Sequence, residues 1–153
     1  MTRPPTIAVL VPCYNEEVTI RTVVADFRRA LPQATIYVYD NNSTDRTVEM
    51  ARAAGAVVRS EPLQGKGNVV RRMFADIEAE VYLLVDGDAT YDAESAPAMI
   101  QRLCEHHLDM VNGARVTEVR AAYRPGHRFG NRLLTGLVAW TFEIGRASCR
   151  ERV

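Results

Sequence analysis

The chain has 153 residues, 47% hydrophobic and 25% charged, the make-up of one soluble globular domain with room for a sizeable core. Its 19 Lys+Arg balance 19 Asp+Glu, which excludes a global field that would recruit nucleic acid or anionic lipid. No apolar run reaches the about 18 residues of a membrane span, and Cys13, Cys104 and Cys149 form neither a metal-ligand spacing nor an even disulfide set, so a reducing cytosol is the expected compartment.

The start, "MTRPPT", leads straight into a short apolar run and does not read as a leader peptide. Residues 6–12, "TIAVLVP", are apolar and β-branched, which predicts a fully buried strand. Residues 15–31 carry Val18, Ile20, Val23, Val24, Phe27 and Leu31 near helical spacing, with Glu16 and Glu17 as acids of the first turn. A second strand is expected over 34–40. A helix follows over 42–55, opened by Ser43 or Thr44 as N-cap and closed on Gly55. Residues 56–60 read as a third strand, 65–80 as a helix led by glycines, 81–85 as a fourth strand in an apolar run, 94–108 as a helix with Pro97 in its first turn, and 109–115 as a fifth strand. This alternation predicts an α/β fold with a parallel sheet and helices on both faces. Ligands of such sheets bind outside the carboxyl ends of the strands.

Those ends carry "VPCYNEE", "YDNNSTD", "VDGDATYD" and "NGAR", so three of the four deliver carboxylates to one rim. Asp86 and Asp88 stand one residue apart after the fourth strand and face the same side in extended chain, with Gly87 as a bend between them. Like charges at that spacing destabilise each other unless a cation lies between them. Hard oxygen ligands favour Mg²⁺ or Mn²⁺, and a divalent ion would reconcile an acidic rim with a phosphate-bearing ligand. A first-turn helix acid explains one of the pair and not both. Other rim residues read two ways. Asp40 with Asn41, Asn42 and Ser43 fits a ligand contact or a turn into a capped helix. Asp45 reads as a first-turn helix acid, and Cys13 as a small buried filler. His106 and His107 read as cations at a helix end. Lys66, the only lysine, sits in "QGKGN", which lacks P-loop spacing.

Taken in order, "VPCYNEE", "VYDNNSTDRT", "QGKGNVVRR", "LLVDGDATY" and "MVNGAR" resemble family 2 glycosyltransferases of the GT-A fold, a Rossmann-like nucleotide-sugar-binding domain. "DGDATYDAESAP" and "AAYRPGHRFGNRLLTGLVAW" look like the bacterial polyprenyl-phosphate and dolichyl-phosphate hexosyltransferases. The resemblance covers residues 7–142. It implies an inverting transfer of a hexose from a nucleoside-diphosphate sugar to a polyprenyl phosphate at the cytoplasmic face of a membrane, with no nucleic-acid partner. It also implies the roles of single residues. Pro12, Tyr14 and Glu16 frame the base and ribose, Asp40 contacts base or ribose, and Lys66 lies beside the nucleotide. Asp86 and Asp88 form the D-x-D pair, Asp86 near ribose or metal and Asp88 on the Mg²⁺ or Mn²⁺ that bridges the diphosphate. Arg115, Arg128 and Arg132 face the acceptor phosphate. Thr90 stands where the family often has a further polar ligand, and it is a weaker one.

A phosphate acceptor is already an anion and needs cations to hold it, not a base. The five arginines Arg115, Arg120, Arg124, Arg128 and Arg132 favour that acceptor over a saccharide hydroxyl. A sugar nucleotidyltransferase is the runner-up enzyme; the "CYNEE" after the first strand lacks the Gly-rich basic run expected of one. A non-catalytic nucleotide-binding fragment is the third reading. Residues 143–153, "EIGRASCRERV", have no apolar period and resemble a translated sequencing adaptor. The expected organisation is therefore the N-terminal part of a transferase domain over 1–142 and a non-native tail over 143–153. A helix over 133–142 would be cut in mid-course, leaving an apolar patch prone to self-association or adsorption to a membrane surface.

Overall fold

Four strands, β1 (Ile7–Cys13), β2 (Thr35–Asp40), β3 (Val57–Ser60) and β4 (Val81–Leu84), pair in parallel in the order β3-β2-β1-β4. The computed structural model describes residues 3–113. Contacts gather Met1–Asp109 into one unit and Met110–Val153 into another, and the architecture below belongs to the first. Four helices, α1 (Ile20–Ala30), α2 (Thr47–Ala53), α3 (Lys66–Asp76) and α4 (Ala96–Glu105), lie among the described residues, with a short 3₁₀ turn at Ala93–Ser95. The α/β alternation and the helices on both faces agree with the sequence reading.

Alternation along β1 decides which helix covers which face. Ile7, Val9, Val11 and Cys13 join Ile36 and Val38 of β2 in the larger core, which α1, α2 and α4 close with Ile20, Val23, Val24, Phe27, Ala51 and Ala96. Ala8, Leu10 and Tyr39 point to the other face, where, among the described helices, α3 supplies Val69 and Met73. Full burial of a side chain such as Leu10 stabilises by about 2 kcal/mol. On this second face an Asp76 carboxylate at the end of α3 accepts from Tyr39 Oη at 3.0 Å and from Arg72 Nε at 2.9 Å, which ties the helix to β2.

The chain runs β1 to β2 to β3 in one direction, then returns across β1 to β4. The switch point lies between β1 and β4, and their carboxyl ends open a crevice there. Asp86 follows β4 after Val85.

Four expectations change. The first helix starts at Ile20, not near Asn15, so Glu16 and Glu17 precede it and Val18 is 86% exposed. Residues 15–17 are drawn instead into hydrogen bonds with the segment after β2. The second helix starts at Thr47 with neither Ser43 nor Thr44 as its cap, because both serve that same loop pairing. The fourth apolar run is buried on one side only: Val81 and Val85 are in the core, but Tyr82 and Leu84 are 37% and 43% exposed, on the face that α3, alone among the described helices, covers. The described part of the expected fifth strand, residues 109–113, has no regular structure. Met110 and Val111 are its only apolar residues there, too few to pack a strand, and Met110 is exposed. The 133–142 helix lies outside the described residues.

Candidate active site

Each carboxyl end of β1, β2 and β4 contributes a loop to the rim, and backbone bonds join them before any side chain acts. Asn41 N–H donates to Cys13 O at 2.9 Å, Glu61 N–H to Asp40 O at 2.9 Å, and Val85 N–H to Leu10 O at 3.0 Å. These are continuations of the sheet ladder into the loops.

The loops after β1 and β2 are clasped reciprocally. Asn15 N–H donates to Ser43 Oγ at 2.9 Å, and Thr44 N–H donates back to Asn15 Oδ1 at 2.8 Å. Glu16 N–H donates to Thr47 Oγ1 at 2.7 Å, and Glu17 N–H to Asp45 Oδ2 at 3.1 Å. Arg46 N–H donates to Glu17 Oε2 at 3.1 Å, which puts the Glu17 carboxylate at the N-terminus of α2, where the helix dipole favours it. Asp45 lies two residues before Thr47 and accepts both its N–H and its hydroxyl, so it closes the turn into α2 rather than occupying that helix. Partial desolvation would raise the Asp45 carboxyl, but the bonds from Thr47 outweigh it and hold the group below the usual carboxylate range. Asn15 and Asn42 adopt positive φ, 55° and 67°, a conformation that asparagine tolerates better than most residues.

Asp40 ends β2 7% exposed, with both carboxylate oxygens accepting from Ser43 N–H at 3.2 and 3.3 Å. Tyr14 stands 51% exposed after β1, and Pro12 is half-buried. The expected base-and-ribose contacts therefore share one end of β1 and β2.

Asp86 and Asp88 occupy the rim beyond β4. Lys66 Nζ, at the first residue of α3, donates to Asp86 Oδ1 at 2.5 Å. Asp88 Oδ1 accepts from Thr90 N–H at 3.0 Å and Thr90 Oγ1 at 2.6 Å, so the Thr90 hydroxyl supports Asp88. Ala89 between them has φ 59°. Gly87 is buried against the β1 loop: a Cβ there would lie 2.7 Å from Cys13 Sγ. Its carbonyl accepts from Thr19 Oγ1 at 2.7 Å, the bond that ties the acidic turn to the loop before α1. Cys13 is a buried filler as expected. Burial first, then the carboxylates of Glu16, Asp40, Asp86 and Asp45, push its thiol far above the ordinary value, so it stays protonated.

The donor set tests a metal. Two carboxylates at one turn, with no third His, Cys, Asp or Glu grouped with them among the described residues, match the habit of Mg²⁺ and Mn²⁺, which take one or two protein carboxylates and complete their shell with substrate phosphates and water. A cavity of about 20 Å³ lined by Asp26, Phe27, Asp86 and Tyr91 lies beside the acidic turn and is too small for a nucleotide. Arg115, Arg128 and Arg132 lie outside the described residues.

Sequence reasoning passed over Asn41, Thr47 and Thr19. Asn41 is buried with its whole carboxamide engaged: Nδ2 donates to Glu61 O at 2.7 Å and Leu63 O at 2.9 Å, and Oδ1 accepts from Gly65 N–H at 2.7 Å. The available signal was a run of amide and hydroxyl side chains, "NNSTDRT", too polar for one helix cap.

The model of the family described as "Glycosyl transferase family 2" matches residues 8–144. The protein RfbJ of Shigella flexneri is 58% identical over 80% of this chain and 95% of its own length. A dolichyl-phosphate hexose transferase of Haloferax volcanii is 34% identical over 82% of this chain and 54% of its own. Among solved structures, glucosyl-3-phosphoglycerate synthase of Mycobacterium tuberculosis, in complex with Mn²⁺, uridine-diphosphate-glucose and phosphoglyceric acid, superposes with a TM-score of 0.58 at 29% identity, over 65% of this chain and 39% of that one. The chain thus spans about half or less of the length of these last two. It belongs to glycosyl transferase family 2, and its fold is GT-A.

Proposed function

We propose that this family 2 glycosyltransferase domain binds a nucleoside-diphosphate sugar at the crevice between β1 and β4 and serves transfer of its hexose to a polyprenyl phosphate. The carrying observation is the acidic turn at the switch point, Asp86 and Asp88, with Lys66 at the start of α3 reaching Asp86. Relatives support the two ends of the reaction separately: one solved neighbour holds Mn²⁺ with UDP-glucose, and one relative is named for dolichyl-phosphate hexose transfer.

In this reading the base and ribose lie along Pro12, Tyr14, Glu16 and Asp40, and the diphosphate along Asp86, Asp88 and Lys66. A Mg²⁺ or Mn²⁺ held by Asp88 and Asp86 would act as a Lewis acid on the departing diphosphate. The bond from the sugar anomeric carbon to the diphosphate oxygen breaks as an oxygen of the acceptor phosphate bonds to that carbon from the opposite face. The nucleoside diphosphate leaves with the electron pair. The acceptor oxygen is already anionic, so no proton has to be removed, and Arg115, Arg128 and Arg132 are assigned to hold it. Among the described residues no helix is long and apolar enough to cross a membrane, so this part would meet its lipid acceptor at a surface.

The test is transfer by a full-length version, with radiolabelled UDP-glucose and other nucleotide sugars offered against undecaprenyl phosphate, dolichyl phosphate and free saccharides. Label in a lipid phosphate fraction supports the reading. Label only in a saccharide overturns the acceptor assignment, and no metal-dependent nucleotide binding at all overturns the donor assignment.

A further inference from the structure

The loop from Glu61 to Gly65 carries Lys66 to Asp86, and its first residue continues the sheet through Glu61 N–H to Asp40 O at 2.9 Å. Beyond that, three of its backbone groups meet one buried side chain. The Asn41 carboxamide meets two carbonyls and one N–H, at Glu61, Leu63 and Gly65, which also fixes its amide orientation without ambiguity. Its backbone N–H holds Cys13 O, so the same residue is anchored to the end of β1. Asn42 adds one exposed bond, Nδ2 to Pro62 O at 2.9 Å, and Leu63 N–H reaches Glu61 Oε1 at 2.7 Å. Gly65 has φ 123°, a backbone state that only glycine adopts without strain, and the residue after it is Lys66. From the β1 end to the Lys66 ammonium there is therefore one continuous chain of bonds, and the Asn41 side chain is its central link.

We propose that Asn41 is a positioning residue: it sets where the N-terminus of α3 presents Lys66 to Asp86, and through Lys66 it tunes the donor site without touching donor. The second part rests on the donor reading above. The first does not, because the Lys66–Asp86 pair is a contact within the chain itself.

Lys66 is the only lysine of the chain, so lysine labelled with ¹³C at Cε gives a single side-chain resonance that reports this one ammonium. In the wild-type chain, Asp86→Asn is expected to move that resonance. Asn41→Ala removes all three carboxamide bonds, and Asn41→Asp turns an acceptor toward two carbonyls. Both are expected to move the resonance in the same direction by at least half as much. Arg28→Ala, which removes the bond to Ala54 O on the far side of α1, is the control for general loosening and is expected to leave it in place. Should Asn41→Ala fail to fold by circular dichroism, Asn41→Ser, which keeps one donor and acceptor, takes its position in the series.

A resonance that ignores Asp86→Asn, ignores the folded Asn41 variants, or moves as far in Arg28→Ala overturns the positioning role. A second arm measures affinity for UDP with Mn²⁺ by calorimetry in Asn41→Ala, Lys66→Met and the double variant. Lys66→Met is expected to weaken binding about tenfold, the scale of one charge-assisted contact. The double variant is expected to be no weaker, since Asn41 acts through Lys66. Multiplying losses would show that Asn41 acts by another route and overturn the coupling. If the wild-type chain binds neither UDP nor another nucleoside diphosphate with Mn²⁺, the donor reading fails at that point while the resonance still decides the positioning role.

Discussion

Two parts of the rim use the same residue types in opposite ways. Between the loops after β1 and β2, almost every polar side chain is spent on a neighbour's backbone: Asn15, Glu17, Ser43, Asp45 and Thr47 form a closed set, and Thr47 is fully buried. At the turn after β4, Asp86 pairs with the long-armed Lys66 and Asp88 accepts from the nearby Thr90, and Thr19 Oγ1 ties the turn to the β1 loop through Gly87 O. The first region resembles a core made of hydrogen bonds. The second keeps two negative charges at the surface of a crevice, one of them paired with the Lys66 ammonium. A scaffold region and a chemical region thus stand side by side, and substitutions should separate them by what they damage.

The largest separation is expected at Asp88. Asp88→Asn in a full-length version should lower hexosyl transfer by roughly a thousandfold, the scale of losing a group that stabilises a leaving charge, while the thermal midpoint stays within the small change usual for surface sites. Transfer assays and a thermal melt on the same preparation decide it. Retained transfer would move the chemistry away from the acidic turn.

Thr47→Val is the converse. It keeps the volume but leaves Glu16 N–H without its acceptor beside a buried side chain and removes the hydroxyl bond to Asp45, which keeps the Thr47 N–H, at a cost of about 2 kcal/mol. Urea unfolding of the variant should show this loss with the m-value unchanged. A loss near zero would mean that the clasp is decoration and that the two regions do not differ as described.

Gly87→Ala tests the seam between them. The new Cβ would stand 2.7 Å from Cys13 Sγ, and overpacking of this kind costs about 1–3 kcal/mol. Cys13→Ala opens that space, so the double variant should recover part of the stability lost by Gly87→Ala alone. Additive losses in a double-mutant cycle would show that the glycine is required for another reason.

The division was partly legible in advance. Alternating strands and helices, the parallel sheet and the acid pair at a strand end follow from periodicity and from residue types whose meaning is local, and Asp86 and Asp88 stand out because two carboxylates one residue apart have few structural uses. The clasp was hidden for a physical reason. Glu16 and Glu17 precede an amphipathic run, so they read as first-turn acids, and Ser43 and Thr44 read as caps. In the structure each of the four bonds across the sheet end to the opposite loop, a pairing set by the register of β1 on β2, which brings Cys13 beside Asp40. One-dimensional spacing carries no trace of that register. Asn41 was hidden likewise, since its three partners lie 20 to 24 residues further on.

The smallest effect expected is on pH dependence, and it again distinguishes the regions. Desolvation alone would raise the Asp45 carboxyl, but the bonds from Thr47 and from Glu17 N–H prevail and hold it below the ordinary value of 3.8. A carboxylate whose folded value is depressed contributes stability that is fully present above its unfolded value and is lost as pH falls through the folded one. Stability should therefore hold steady from neutrality to about pH 5 and decline below about pH 4, as Asp45 takes a proton and its oxygens stop accepting as a carboxylate. Glu80, held down chiefly by Thr6 N–H and secondarily by the Thr6 hydroxyl at the other end of β1, should contribute to the same limb. Asp45→Asn keeps the shape and one acceptor oxygen but cannot titrate. Thermal midpoints measured from pH 7 to pH 3 should fall less steeply in Asp45→Asn than in the wild type, starting from a lower value at pH 7. Parallel slopes for the two chains would show that Asp45 does not couple the clasp to protons, and that the acid limb belongs to Glu80 and to Asp76, whose carboxyl is held low first by Arg72.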